Sequence, residues 1–559
     1  MTAVTAKRTR MQKPLVGLTP KNAFREVVAG ITLLAIAVPL NIGYAQIAGL
    51  SPTAGLYALV LPAIVYALAV SSRQLVASPD AAAAALVASS IGGLAVAGSA
   101  DYLTLALAQA ILCGVMFIAA AVFKLGFLAN FLSKPILVGF VGGLALDILI
   151  SQVAKMLGIK IDSGGEFIDK MSGLIGGLGE ISWWSTLIAV LSVLILQLGK
   201  RFARAVPWAL VVLVIGTIVM ATTGLEDAGV AVLGAVEAGP PTLTWPVITW
   251  SMWGALIPSA IALTLITTAE GLLVSRSYGE KRGYRTSPNR DLFAFGLGNL
   301  AAGASGGFAV GSSTSRTAAM DQAGSRTQLP TLVMAAGTLL LLVFGTALLE
   351  DIPSPAIGAI VAMAILPLLG IKDFRMLWHT DRFEFIIGAV CFLVTLFVGS
   401  IPGILVAFVL ALINLAKRAS NPAIDVLAAN DDPTESLLGD VPLGETTAKG
   451  VIVVRLAAPL FFANGTVFSD AVKRAIHAVP EGSVRHLVVD MEAVTDIDVT
   501  AAEAFTSLHE WLDSKQIELS FSRVRLQALS RLRQLDLVGD ARIFDTNRAA
   551  IAALEAVAR

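Results

Sequence analysis

Cysteine is almost absent: Cys113 and Cys391 are the two present in 559 residues. Each lies inside an apolar run, which leaves no disulfide framework and no CxxC pair for a metal or redox centre. Histidine is scarce too, with four residues, none at ligand spacing, which argues against a histidine metal site. Charged residues make up 14% of the chain, against roughly 25% in an ordinary soluble protein. Forty Lys and Arg balance forty Asp and Glu. The basic residues fall in short clusters between apolar stretches, so no nucleic-acid surface is indicated. No Walker A motif and no nucleophile-and-base pair stands out, which makes an enzyme the class with least support and implies no cofactor. The N-terminal stretch carries Lys7, Arg8, Arg10, Lys13, Lys21 and Arg25 but no short apolar region before a small-residue cleavage site, so no cleaved signal peptide is expected.

What the chain has in quantity is apolar sequence: 56% of residues are hydrophobic and mean hydropathy is +0.78. Crossing about 30 Å of hydrocarbon takes near 20 such residues. Fourteen segments start near residues 27, 54, 79, 102, 128, 183, 206, 253, 291, 314, 329, 353, 383 and 401, those at 79 and 314 being short enough to be half-spans. An even number puts both termini on one side. Basic clusters at Lys200 to Arg204, Arg276 to Arg290, Lys372 to Arg382 and Lys417 to Arg418 fall on that same side, which the positive-inside rule makes cytoplasmic. The expected protein is therefore multi-pass in the cell (inner) membrane. Residues 1–25 form a cytoplasmic N-terminal segment, 26–419 the membrane region, 420–447 a polar linker containing Asn430, Asp431, Asp432 and Pro433, and 448–559 a soluble α/β domain. In that domain 450–455 and 486–490 read as buried strands, and 467–478 and 501–513 as amphipathic helices.

Two interruptions occupy corresponding places in the two halves of the membrane region. One is Val76-Ala77-Ser78-Pro79-Asp80-Ala81; the other runs from Val310 and Gly311 through Ser312, Ser313, Thr314 and Ser315 to Arg316 and Thr317. A helix that starts inside the membrane has first-turn N–H groups in need of partners. Paired interruptions point to an inverted repeat with a substrate site at mid-membrane. Two such helix ends facing one pocket suit an anion, and Arg316 adds a full charge and a rigid fork for oxyanions. An aqueous loop carrying an ordinary surface Arg is the alternative.

These and other stretches resemble the SulP (sulfate permease) anion transporters. The resemblance rests on Val38-Pro39 to Tyr44-Ala45, Ala48-Gly49-Leu50, Thr53 to Tyr57, Arg285 to Arg290, Gly311 to Ala318, Gln322-Ala323-Gly324 and Arg326 to Leu329, and it extends to the tail, which resembles a STAS domain. It implies a polytopic α-helical membrane protein of fourteen segments in two inverted sets of seven. These would form a core and a gate domain with elevator-like movement, a homodimer and a cytoplasmic α/β STAS domain. It also carries substrate-site roles to Ser315, Arg316 and Tyr44, and adds Pro79, Asp80, Ala81 and Thr314 around them. Two positions depart from the family: Leu40 where Gln is usual, and Asp80 where many relatives are apolar. Leu40 favours a ligand with an apolar part, such as a dicarboxylate.

Glu270, in Thr267-Thr268-Ala269-Glu270-Gly271, matches an acidic family position associated with proton or cation coupling, and Asp80 is the second candidate. With both acids ionised near Arg316 the site would attract an anion poorly, so proton-coupled uptake is expected, sodium being the other candidate ion. Alternatives are a helix-end Glu270 paired with Arg276, and an Asp80 that serves only as a helix cap. Asp147 reads as a structural or gate-interface residue rather than a ligand. In the tail, Val499 stands where a phosphorylatable Ser follows the equivalent of Asp498 in antagonists of that fold, and Thr500 reads as a helix cap. The expectation is a secondary transporter of small inorganic or carboxylate anions, with sulfate, dicarboxylate and bicarbonate all open. Rival readings are an uncoupled anion channel, a membrane-anchored STAS sensor and a nucleobase permease.

Overall fold

The computed structural model describes residues 15–130, 133–161, 166–203, 206–428 and 444–557. Lys7 to Lys13, Arg204 and the Asn430 to Pro433 stretch lie outside the described residues. The chain divides into two compact units, residues 1–411 and 412–559.

The first unit is helical. Among the described residues six helices are long and apolar enough to cross a membrane, including Pro20–Ile47, Ala100–Val122, Lys134–Leu157 and Trp250–Arg282. Ala81–Ile91, Trp208–Thr223 and Leu329–Phe344 are shorter apolar helices. Each of the fourteen segments read from the sequence falls on a helix. Among the described residues three further α-helices do not correspond to any of them, one being the single turn Ala347–Glu350. Phe167–Gly176 leads into a bend of 114° before Trp183–Gly199. Ile371–Thr380 occupies a stretch expected to be a basic loop; it exposes Ile371, Met376 and Trp378 beside its charges, the two-faced pattern of a helix lying at a membrane surface.

Helices of this unit approach each other through small residues, because lipid supplies no hydrophobic drive and close backbone contact must supply the attraction. Ala100–Val122 meets Pro288–Ala304 in this way. A Cβ on Gly114 would come within 2.8 Å of Leu300, and one on Gly303 within 2.5 Å of the Leu107 carbonyl oxygen. Between the long helices, β1 (Ala77–Ser78) and β2 (Gly311–Ser312) pair antiparallel, Ala77 opposite Ser312 and Ser78 opposite Gly311.

The second unit holds a five-stranded sheet in the order β3 (Ile424–Val426), β4 (Gly450–Leu456), β5 (Val484–Asp490), β6 (Glu518–Ser522), β7 (Arg542–Phe544). β3 runs antiparallel to β4, and the other pairs are parallel. β3 falls in the stretch read as linker. β4 and β5 are nearly continuous runs of buried Val, Ile and Leu, as strands covered by helices on both faces require. Gly465–His477 and Val499–Ser514 pack through Phe468, Phe505 and Phe521, whose rings stack at 6.2 and 5.9 Å.

Candidate anion site

Both short helices begin beside the β1–β2 pair. Ala81–Ile91 starts at Asp80, whose carboxylate accepts from Ala83 N–H at 2.8 Å. Thr314–Gln322 starts at Ser313, whose Oγ accepts from Arg316 N–H at 3.4 Å. Each cap residue leaves the strand in an extended conformation while its side chain takes one of the orphan first-turn N–H groups. The remaining N–H groups and the positive ends of both helices lie around one centre. Gly311 keeps that centre compact: a Cβ there would sit 2.5 Å from Asp80 Oδ2.

Arg316 is 1% exposed. Its Nε donates to Ser313 Oγ at 2.7 Å, its Nη2 donates to the Pro79 carbonyl, and its guanidinium carbon stands 5.6 Å from the Tyr44 ring centre. The cation thus ties the two helix starts together. Its Nη1 is buried without a hydrogen-bond partner among the described residues, as is the hydroxyl of Ser312. Orphaned buried donors are costly in a folded protein, and Ser312 carries one on the wall of a cavity that Arg316 adjoins through Ser313, which marks it as a place for an acceptor.

That cavity has a volume of about 120 Å³. Tyr44, Asp80, Ala81, Glu270, Thr314 and Ser315 line it together, so all the sequence-derived site residues except Pro79 and Arg316 reach its wall, and Arg316 joins Pro79 to the wall residue Ser313. Asp80 is a helix cap and a wall residue at once. Glu270 is half-buried and is not paired with Arg276, which instead bonds Glu280 at 2.9 Å. Asp147 is absent from this wall; it pairs with Lys170 at 2.7 Å.

Ser312, Ser313 and Ala82 also contribute; the first two lay within the flagged Gly311 to Thr317 run without being assigned a role. The opposite wall was missed altogether. Val141, Leu144, Ala145 and Ile148 come from Lys134–Leu157, joined by Ala364 and Leu368. The four share one helix face by their three- and four-residue spacing, but every helix in this protein has an apolar face, so the spacing carried no signal of a site. Every donor and charge lies on one side of the cavity, and the facing wall is apolar. Among the described residues no cluster of three or more His, Cys, Asp or Glu could hold a metal.

The sulfate permease family matches residues 24–391, and the STAS domain matches residues 445–550. A probable sulfate transporter of Mycobacterium tuberculosis (strain ATCC 25618 / H37Rv) is 32% identical over 539 residues, covering 94% of each chain. The chloroplastic sulfate transporter 4.1 of Arabidopsis thaliana is 28% identical over 534 residues, covering 92% of this chain and 77% of the relative. Among solved structures, the murine solute carrier 26 family member A9 anion transporter in the inward-facing state superposes with a TM-score of 0.86 at 21% identity, covering 97% of this chain and 92% of that one. The transmembrane domain of a cyanobacterium bicarbonate transporter superposes with a TM-score of 0.60 at 23% identity, covering 70% and 98%. At that identity these two show a shared fold.

Proposed function

This chain belongs to the sulfate permease family, a family of transporters rather than enzymes, and from that premise we propose that it is a secondary active, proton-coupled symporter of a small oxyanion. The carrying observation is the cavity where two helices begin, with the orphaned Ser312 hydroxyl on its wall and Arg316, whose Nη1 is likewise without a partner among the described residues, bonded to the wall residue Ser313. Tyr44, Pro79, Asp80, Ala81, Thr314, Ser315 and Arg316 are its substrate site in this reading. A cavity of about 120 Å³ is well below the roughly 300–1,000 Å³ clefts that take drug-sized ligands, which favours an ion of few heavy atoms over a nucleobase. Sulfate leads because relatives 32% and 28% identical carry that name; bicarbonate and a dicarboxylate are the other candidates.

Proton coupling follows from charge. Asp80 and Glu270 share the wall with one cation behind it, so with both acids ionised the site carries net negative charge, and an anion enters at a Coulombic cost magnified by low dielectric. A proton taken up with the anion removes that cost. The apolar facing wall holds the anion by nothing polar, so a core bearing both short helices can carry it past a gate, as the family's elevator scheme has it. A fourteen-segment inverted repeat, a homodimer, an inner-membrane location and cytoplasmic termini belong to the same proposal, as does the division at 26–419 and 448–559.

The test is uptake of labelled sulfate, fumarate and bicarbonate by purified protein in liposomes with and without an inward proton gradient. The expected result is accumulation of one of them that requires the gradient, lost in Arg316→Ala, with gradient dependence lost in Glu270→Gln. Uptake that ignores the gradient in the wild type points to the channel reading. Binding without uptake points to a sensor.

A further inference from the structure

A second cavity, of about 190 Å³, lies further along Lys134–Leu157 and shares Leu144 and Ile148 with the first. The shared face continues through Ser151, Gln152 and Lys155. Seven residues from Ile148 to Lys155 amount to about 10 Å of helix. Lys155 stands at the opposite end of this helix from Lys134, which lines a separate cavity with Lys124 and Arg276. The second cavity is therefore on the other side of the anion site from those basic residues.

Its charges are not alike. Lys170 is held by Asp147 at 2.7 Å, a neutral pair, and Glu166 is exposed at the rim. Lys155 has no carboxylate partner among the described residues: its ammonium gives one hydrogen bond, at 2.9 Å, to the neutral Gln46 Oε1. An ammonium carries three donors, and this one, half-buried in the last turn of its helix, spends one of them on the described residues. Beside it Gln152 is 2% exposed, and its Oε1 has no hydrogen-bond partner among the described residues; rotating the amide presents its NH₂ in that place.

We propose that Lys155, Gln152 and Ser151 form an outer anion subsite that captures a small oxyanion before it passes Leu144 and Ile148 to the Arg316 site. The arriving oxyanion takes the ammonium from Gln46, and since Gln46 lies on Pro20–Ile47, capture breaks a bond between two helices that line the two sides of the passage. A cation in a low-dielectric cleft raises local anion concentration and capture rate. The inference rests on the transporter reading for the direction of passage, but the subsite itself is a binding claim.

Two readouts separate the claims. The full chain in liposomes is treated with a membrane-impermeant amine-acylating reagent, and modification of Lys155 and Lys170 is followed by peptide mass spectrometry as sulfate, fumarate or bicarbonate is raised through the millimolar range. At least one anion is expected to slow Lys155 modification several-fold while Lys170, already paired, is unchanged, and Arg316→Ala is expected to keep that protection. In uptake, Lys155→Gln is expected to raise KM about tenfold with little change in maximal rate, and Lys155→Arg to stay near wild type. Protection of Lys155 by none of the three anions overturns the subsite, whatever uptake shows. Protection without uptake in the wild type keeps the subsite and sinks the transporter reading. Protection with unchanged KM in Lys155→Gln overturns its place on the passage.

Discussion

Arg316 does two jobs with one fork. Nε and Nη2 are spent on Ser313 and Pro79, and Nη1 is left over. Lysine can supply the charge but not the planar three-way geometry. Arg316→Lys is therefore expected to retain folding yet lose roughly tenfold or more in uptake efficiency, the scale of one charge-assisted hydrogen bond, read as kcat/KM in liposomes. Gly311 is a second single-atom constraint. In Gly311→Ala the new methyl would meet Asp80 Oδ2 at 2.5 Å, and relief must come from moving the cap or the strand, at about 1–3 kcal/mol. A lower thermal midpoint by tryptophan fluorescence, together with lost anion binding, is the expected result; wild-type behaviour in both would mean Asp80 moves freely.

At the scale of elements, the two short helices both begin at the candidate anion site. Asp80 serves as N-cap, and Asn caps as well as Asp, so Asp80→Asn keeps the helix and removes the charge. If Asp80 contributes to coupling, this variant folds normally and takes up anion with a weaker dependence on the proton gradient; Asp80→Ala instead loses the cap, about 1 kcal/mol. In the C-terminal sheet, His486 on β5 offers a pH test. Burial holds the imidazole below its ordinary value of 6.5, Arg542 and Arg485 add to this, and Glu518 opposes it. The folded state thus favours the neutral ring, and the unfolded chain takes up the proton first as pH falls. Its contribution to stability is present above about pH 6.5 and is lost as pH drops below that. Protection of the β5 and β6 amides in the full chain, relative to intrinsic exchange at each pH, should weaken as pH falls below about 6.5, and His486→Gln should flatten that change.

At the scale of the whole molecule, the proposed transport requires the donor-bearing side of the cavity to part from an apolar wall. Leu144 lines both cavities. Leu144→Trp fills the space between them, and uptake is expected to fall by roughly tenfold or more while labelled anion still binds, since overpacking obstructs movement without removing a donor. Unchanged uptake would place the passage elsewhere. Small residues at helix contacts such as Gly114 and Gly303 keep the packing between those helices close.

Much of this was legible in the chain itself, for physical reasons. Hydrophobic length is a local property, so every apolar segment could be matched to a helix, and the Pro and Gly-Ser interruptions at 79 and 311 gave away the two short ones, because broken helices in lipid need a reason. Local chemistry also marked Arg316, since charge at membrane depth is rare, while the family resemblance marked Glu270 and Asp80. Sequence did not reveal the helices Phe167–Gly176 and Ile371–Thr380, whose mixed composition reads as loop, or strand β3, which is too short to show a period. Nor could it reveal the apolar wall from Val141 to Ile148, because a lining leucine and a lipid-facing leucine look alike in one dimension. Which donors were left unsatisfied, and that Lys155 meets an amide rather than a carboxylate, depended on partners up to 237 residues away for Arg316 and 109 for Lys155. Composition and spacing determined what this chain dissolves in and where its helices break; only the tertiary structure decided which side chains face one another, because a pairing across the fold has no local signature.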